Sequence, residues 1–266
     1  HSHQRPETLT RLRRDLDHDR LEVWYQPQLR LADGRARTLE ALLRWPDGHG
    51  GWVQPPAVFI PLAESSGLVV PMGEFVLDRA CAALATLTAL DHHRTAPVRI
   101  TVNVAMPQLR HPRFAAMIEH TLARHRLCGE HLELEITEMI AMDETLSLSL
   151  RQIFEHLRGL RVGVAIDDFG TGHSSLALLR ELPVNALKID RRFISGRAEG
   201  PDEVFVECIV GLAGRLGLTT IAEGIETREQ ADCLRRLGCE HGQGGWFAPP
   251  MSVETLHDWL QERASA

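Results

Sequence analysis

No run of apolar residues in this chain reaches the ~18 positions that a membrane-spanning helix needs, and no secretory leader pattern is visible. These absences lead us to expect a cytoplasmic segment, or the cytoplasmic part of an anchored protein, with no membrane contact of its own. Cysteine is scarce and unpaired: Cys81, Cys128, Cys208, Cys233 and Cys239 are odd in number and include no CxxC pair. A disulfide scaffold and a thiolate zinc site are thereby disfavoured, and reduced thiols are expected, with Cys233 and Cys239 in the core. Histidine is plentiful at fourteen, yet none forms an HxxxH or HxH pair inside a strand-end motif, and His92-His93 reads as a solvated loop pair. Positive charge is also short. Lys and Arg number 29 against 36 Asp and Glu, a net charge of -7, so a nonspecific grip on a nucleic-acid polymer is not expected.

What remains is an ordinary globular composition with room for one large core: 266 residues, 44% hydrophobic and 24% charged. Strand-like runs fall near 21–26, 38–45, 98–104, 131–137, 162–167, 185–190, 218–223 and 239–246. Between most of them, apolar residues recur at three- and four-residue spacing over 78–90, 112–126, 145–160, 174–182, 202–216 and 227–237. Thr227 with Glu229-Gln230 reads as a helix start, and Gly217 and Gly238 as helix stops. Eight strands alternating with helices predict an α/β fold, a TIM-like (β/α)8 barrel of ~250 residues. The first two strands are joined only by RLADGRAR, whose Asp33-Gly34 is a turn signal, so the first strand is expected to run antiparallel to the second. We read residues 1–20 as a tag remnant (His1-Ser2-His3) followed by an amphipathic helix leading in, and residues 21–266 as the barrel.

The strand ends are rich in oxygen donors. VGVAIDDFGTGHSSL (162–176) carries adjacent Asp167-Asp168 at the end of an apolar run, where like charges lose hydration and need a cation. Period-two alternation sets Glu133 and Glu135 on one face of LELEITE, and Lys188 and Asp190 on one face of LKID. In a parallel barrel, Glu40, Asn103, Glu135, Asp167, Asp168, Lys188, Asp190 and Glu223 can converge at the mouth. A carboxylate and amide set of this kind suits a hard divalent metal.

YQP (25–27), EALLRW (40–45), FIPLAESSGL (59–68), NVA (103–105), LELEITE (132–138), DDFGTGHSSL (167–176), LKID (187–190), AEGIE (222–226) and GQGGWFAPP (242–250) together resemble the EAL-domain phosphodiesterases of bacterial cyclic di-GMP signalling. The resemblance implies metal-dependent hydrolysis of cyclic di-GMP to linear pGpG. It also implies two ions, Mg²⁺ or Mn²⁺, activating a water between them. Glu40, Asn103, Glu135 and Asp167 would hold one ion; Asp167, Asp168 and Glu223 would hold the other. Lys188 would orient the water, and either it or Glu223 would assist deprotonation. Gln26, Leu42, Arg44, Asp190, Glu226 and Gln243 would contact substrate. Glu138 would tether the loop 168–176, and Glu133 would be structural. A homodimer, and fusion to upstream sensor or GGDEF domains, are implied as well. Ala105, His173, Gly245 and Pro249 depart from the usual NVS, DDFGxGYSS and post-QG patterns, in substrate handling more than in metal ligands. The alternative is a catalytically weak cyclic di-GMP receptor. Such barrels usually lack the EAL glutamate, the DD pair or the lysine, all of which are present here.

Overall fold

A computed structural model describes residues 4–90, 99–138, 148–170, 179, 182–194 and 202–264. Eight strands close into a barrel in sequence order: β1 (Glu22–Arg30), β2 (Ala36–Arg44), β3 (Arg99–Asn103), β4 (Leu132–Thr137), β5 (Gly163–Phe169), β6 (Ala186–Ile189), β7 (Thr219–Ala222) and β8 (His241–Gly242). The expected hairpin is present. β1 runs antiparallel to both β2 and β8, while every other neighbouring pair is parallel. The turn closes because the Gly34 amide donates to Arg30 O at 2.8 Å and the Arg35 amide to Asp33 Oδ1 at 3.1 Å. The Arg30 guanidinium clasps the same Asp33 carboxylate.

Alternation divides the barrel wall into two faces. Leu39, Ala41 and Leu43 of β2 are buried in the shell beneath the helices, and Glu40 takes the opposite side. The shell includes α1 (Gln4–Asp17), whose Leu12 is fully buried and whose Asp15 accepts a 3.0 Å bond from Trp45 Nε1. No described helix is long and apolar enough to cross a membrane.

Helix boundaries differ from the periodicity reading where proline and glycine intervene. Two helices outside that reading are α2 (Pro56–Ser66) and the helix Val253–Ala264. α2 starts on Pro56, where a missing N–H costs nothing, and carries Pro61 inside. α3 begins at Val69 rather than 78 and runs to Leu90. Its Pro71 stands in the first turn, and Gly73 lets Gln108 approach so closely that a Cβ would lie 1.7 Å from Nε2. Other helices match their signals. The helix Arg228–Arg236 opens with Thr227 Oγ1 accepting the Gln230 amide at 3.3 Å and Gln230 Oε1 accepting the Thr227 amide at 3.1 Å. Gly217 caps Glu203–Leu216 in the left-handed region, at φ 70°. β8 is only two residues long, against the expected 239–246. Beyond it the chain turns under Ile225, whose backbone approaches Gly244 so closely that a Cβ would meet Ile225 O at 2.1 Å. His173, Ser174-Ser175, His92-His93 and much of the expected helix 174–182 lie outside the described residues.

Candidate active site

The floor of the barrel interior is set by Glu133, buried and paired with Arg99 Nη1 at 2.9 Å. One pleat higher, Lys188 is fully enclosed by acids. Its Nζ lies 2.7 Å from Glu135, 2.6 Å from Glu223, 3.4 Å from Asp167 and 3.5 Å from Glu40. Burial alone would lower the ammonium's pKa, but Glu135, Glu223, Glu40 and Asp167 outweigh it and hold that pKa well above the usual lysine value. The acids respond unequally. Burial pushes Glu135 well above the normal carboxylate range, with the charges of Glu40 and Asp167 adding to it against Lys188. Burial also works against Glu40, yet Lys188 and the Gln243 and Asn103 amides bring it below its usual value. Those amides donate to opposite oxygens, Asn103 Nδ2 to Oε1 at 2.9 Å and Gln243 Nε2 to Oε2 at 2.6 Å.

Asp167 and Asp168 reach the mouth together because β5 is irregular at that point. Consecutive residues of a regular strand face opposite ways. Here the register against β6 shifts between Ile166 and Phe169, and Asp168 takes a left-handed backbone at φ 55°. The turn is pinned by the Asp168 amide donating to Asp167 Oδ1 at 2.9 Å. The Gly170 amide then donates to the buried Glu138 at 3.1 Å. The carboxylates of Asp167, Asp168 and Glu223 consequently offer oxygens all within 4.8 Å of one another. Burial, then the charge of Asp167 and the hydrogen bond that protonated Asp168 donates to Asp190, raise Asp168 to about 6. Burial, with Asp167 and Glu40 opposing the pull of Lys188, raises Glu223 to about 7.

This donor set fits divalent cations. One ammonium faces five carboxylates, and Glu135 Oε1 is buried without a hydrogen-bond partner. A buried orphan acceptor costs about 1–3 kcal/mol, more when charged, and a cation would relieve it. All the donors are oxygens, as Mg²⁺ or Mn²⁺ prefers and zinc usually does not.

Most of the other expected residues gather beside this cluster. Gln243 is buried, donates to Gln26 Oε1 at 2.9 Å, and accepts from Gln28 Nε2 at 3.0 Å. Gln28 was absent from the expected site, although Gln26 and Gln28 share a face in YQPQ. Arg44 is half-buried at the top of β2 with Leu42 below it, and Asp190 accepts from the Arg192 amide at 2.7 Å. Glu226 is exposed, next to Ile225, whose amide donates to Gln243 O at 3.0 Å; its own amide donates to Gln230 Oε1 at 2.7 Å beside the start of Arg228–Arg236. Trp24, also outside the expectation, faces the same mouth opposite Leu42.

Residues 9–250 match the family profile described as "EAL domain". The bifunctional diguanylate cyclase/cyclic di-GMP phosphodiesterase MucR of Pseudomonas aeruginosa is 42% identical over 247 residues, 92% of this chain and 35% of that protein. The cyclic di-GMP phosphodiesterase NbdA of the same organism is 41% identical over 254 residues, 94% of this chain and 31% of NbdA. The chain thus spans about a third of the length of these curated relatives. Among solved structures, the PaMucR phosphodiesterase in complex with c-di-GMP superposes with a TM-score of 0.85 at 40% identity, covering 94% of this chain and 99% of that one. By profile, sequence and barrel geometry alike, this chain belongs to the EAL domain family.

Proposed function

We propose that this domain hydrolyses one phosphodiester bond of 3′,5′-cyclic di-GMP, giving linear pGpG. The observation that carries the reading is the convergence of Glu40, Glu135, Asp167, Asp168 and Glu223 around Lys188, every one of the family's acidic positions being filled. In this reading Glu40, Asn103, Glu135 and Asp167 would hold one divalent ion, and Asp167, Asp168 and Glu223 would hold a second. Such ions supply Lewis-acid stabilisation of the phosphate and lower the pKa of a nearby water.

The chain's own groups do the rest. The water oxygen bonds to phosphorus, the P–O3′ bond breaks, and the departing O3′ takes up a proton from solvent. Glu223, whose carboxylate lies 2.6 Å from Lys188 Nζ, accepts the proton from the water, and the Lys188 ammonium orients that water and offsets negative charge. Arg44 can pair with phosphate through its planar fork, while Gln26, Leu42, Asp190, Glu226 and Gln243 position the nucleotide halves. Glu138 is a positioning residue, acting through the turn that carries Asp168. We propose further that the domain works in the cytoplasm as a homodimer and as one unit of a longer signalling chain, as the length of MucR suggests. The decisive assay is release of pGpG from cyclic di-GMP with Mg²⁺ or Mn²⁺ and with a chelator. Binding without release would leave the receptor reading in its place.

A further inference from the structure

Trp24 and Trp52 meet edge to face at the rim, with ring centroids 5.1 Å apart and planes at 79°. Trp24 lies on β1 two positions above Gln26, about 7 Å along the strand, and so above the Gln26–Gln243–Glu40 hydrogen bonds. Its Nε1 donates to Glu22 Oε2 at 3.0 Å, and the Arg44 guanidinium sits 6.0 Å from its ring centroid. Trp52 is 45% exposed, an uncommon state for so large an apolar side chain. The loop presenting it is built to hold it there. Asp47 Oδ1 accepts the His49 and Gly51 amides at 2.7 and 2.9 Å, Val53 N donates to Trp45 O at 2.8 Å, and Pro46 bridges Trp52.

We infer that Trp24 and Trp52 form an aromatic shelf on the wall of the mouth that takes a purine base of the substrate by stacking. The inference rests on the cyclic di-GMP reading and extends it to residues outside the family's motif positions. A rigid ring pair offers a base a flat π-face at little cost in side-chain entropy. Arg44 beside it supplies the positive charge that the adjoining phosphate requires.

The test titrates the full chain with GMP and, separately, with ribose 5-phosphate by calorimetry, in the unmodified protein and in W52A and W52F. Hydrolysis of cyclic di-GMP is measured alongside. We expect W52A to weaken GMP about tenfold, W52F to recover most of that loss, and ribose 5-phosphate to bind equally to all three. KM for cyclic di-GMP should rise by a similar factor in W52A, with kcat within about twofold. GMP affinity unchanged in W52A, ribose 5-phosphate weakened as much as GMP, or no GMP binding to the unmodified protein would each overturn the shelf. Trp52-dependent GMP binding without any hydrolysis or binding of cyclic di-GMP would sink the substrate assignment and leave the shelf standing.

Discussion

The Gly170 amide donates to Glu138 Oε2 at 3.1 Å, tying the residue just after β5 to a buried carboxylate at the end of β4. That bond helps hold the far end of the turn on which Asp168 adopts its left-handed backbone. E138A should lower turnover about tenfold and raise the Mn²⁺ concentration for half-maximal activity by a similar factor, the scale of one lost charge-assisted hydrogen bond. E138Q, which retains an acceptor, should lose less. A metal titration identical in E138A and the unmodified protein would contradict the tether.

Asp167 would serve both ions of the proposed mechanism, since it belongs to the three-carboxylate group and also lies 3.4 Å from Lys188 in the Glu40–Glu135 cluster. D167N should reduce kcat by at least about a hundredfold and abolish the rise in Tm on adding Mn²⁺, while the Tm without added metal stays within a few degrees. Near-normal turnover in D167N would sink the bridging assignment.

Lys188 is the one ammonium in the buried cluster of described acids, so its removal acts on charge as well as on the water. K188A should cut kcat by about a hundredfold or more with KM changed less than about threefold, because the groups around its Nζ are the acids of the cluster. Collapse of cyclic di-GMP affinity with kcat preserved would recast Lys188 as a substrate clamp.

The pH dependence follows from Asp168 at about 6 and Glu223 at about 7. Both folded-state values lie above those of the unfolded chain, so between about pH 4.5 and 7 the folded protein holds protons the unfolded chain has released. Without divalent ions these two groups therefore make stability fall as pH rises through that window, and add no further slope above it. A cation must displace the same protons, so its affinity should rise with pH over the range from 6 to 7. The Tm increment from a fixed Mn²⁺ concentration should be larger at pH 8 than at pH 5.5. Equal increments would show that these carboxylates do not compete with the metal.

Gly244 packs directly under the Ile225 backbone, which has no side chain to swing aside. G244A should destabilise the fold by about 2–3 kcal/mol, an overpacking cost, and shift Gln243 off Glu40. Thermal denaturation checks the first effect; a weakened Mn²⁺-dependent rise in Tm checks the second. A Tm within a degree of the unmodified protein would mean the turn relaxes freely.

Local chemistry was enough for much of this protein. Period-two alternation placed Glu133 and Glu135 on one face, Asp33-Gly34 announced the reversal of β1, and Thr227 with Gln230 marked a helix start, because each depends on neighbours a few residues apart. Pro56, Pro61 and Gly73 concealed α2 and the first turns of α3, since their tolerance depends on position within a turn and on Gln108, a contact 35 residues away in sequence. The shortness of β8 likewise needed Ile225 as a partner. Alternation alone would have sent Asp167 and Asp168 to opposite faces of β5. Only the mismatch in pairing with β6, the left-handed turn at Asp168 and the Glu138 contact aim both carboxylates at Glu223. A strand's own sequence carries its period, but a bulge is set by the register of the strand beside it, and that register exists only once the barrel has closed.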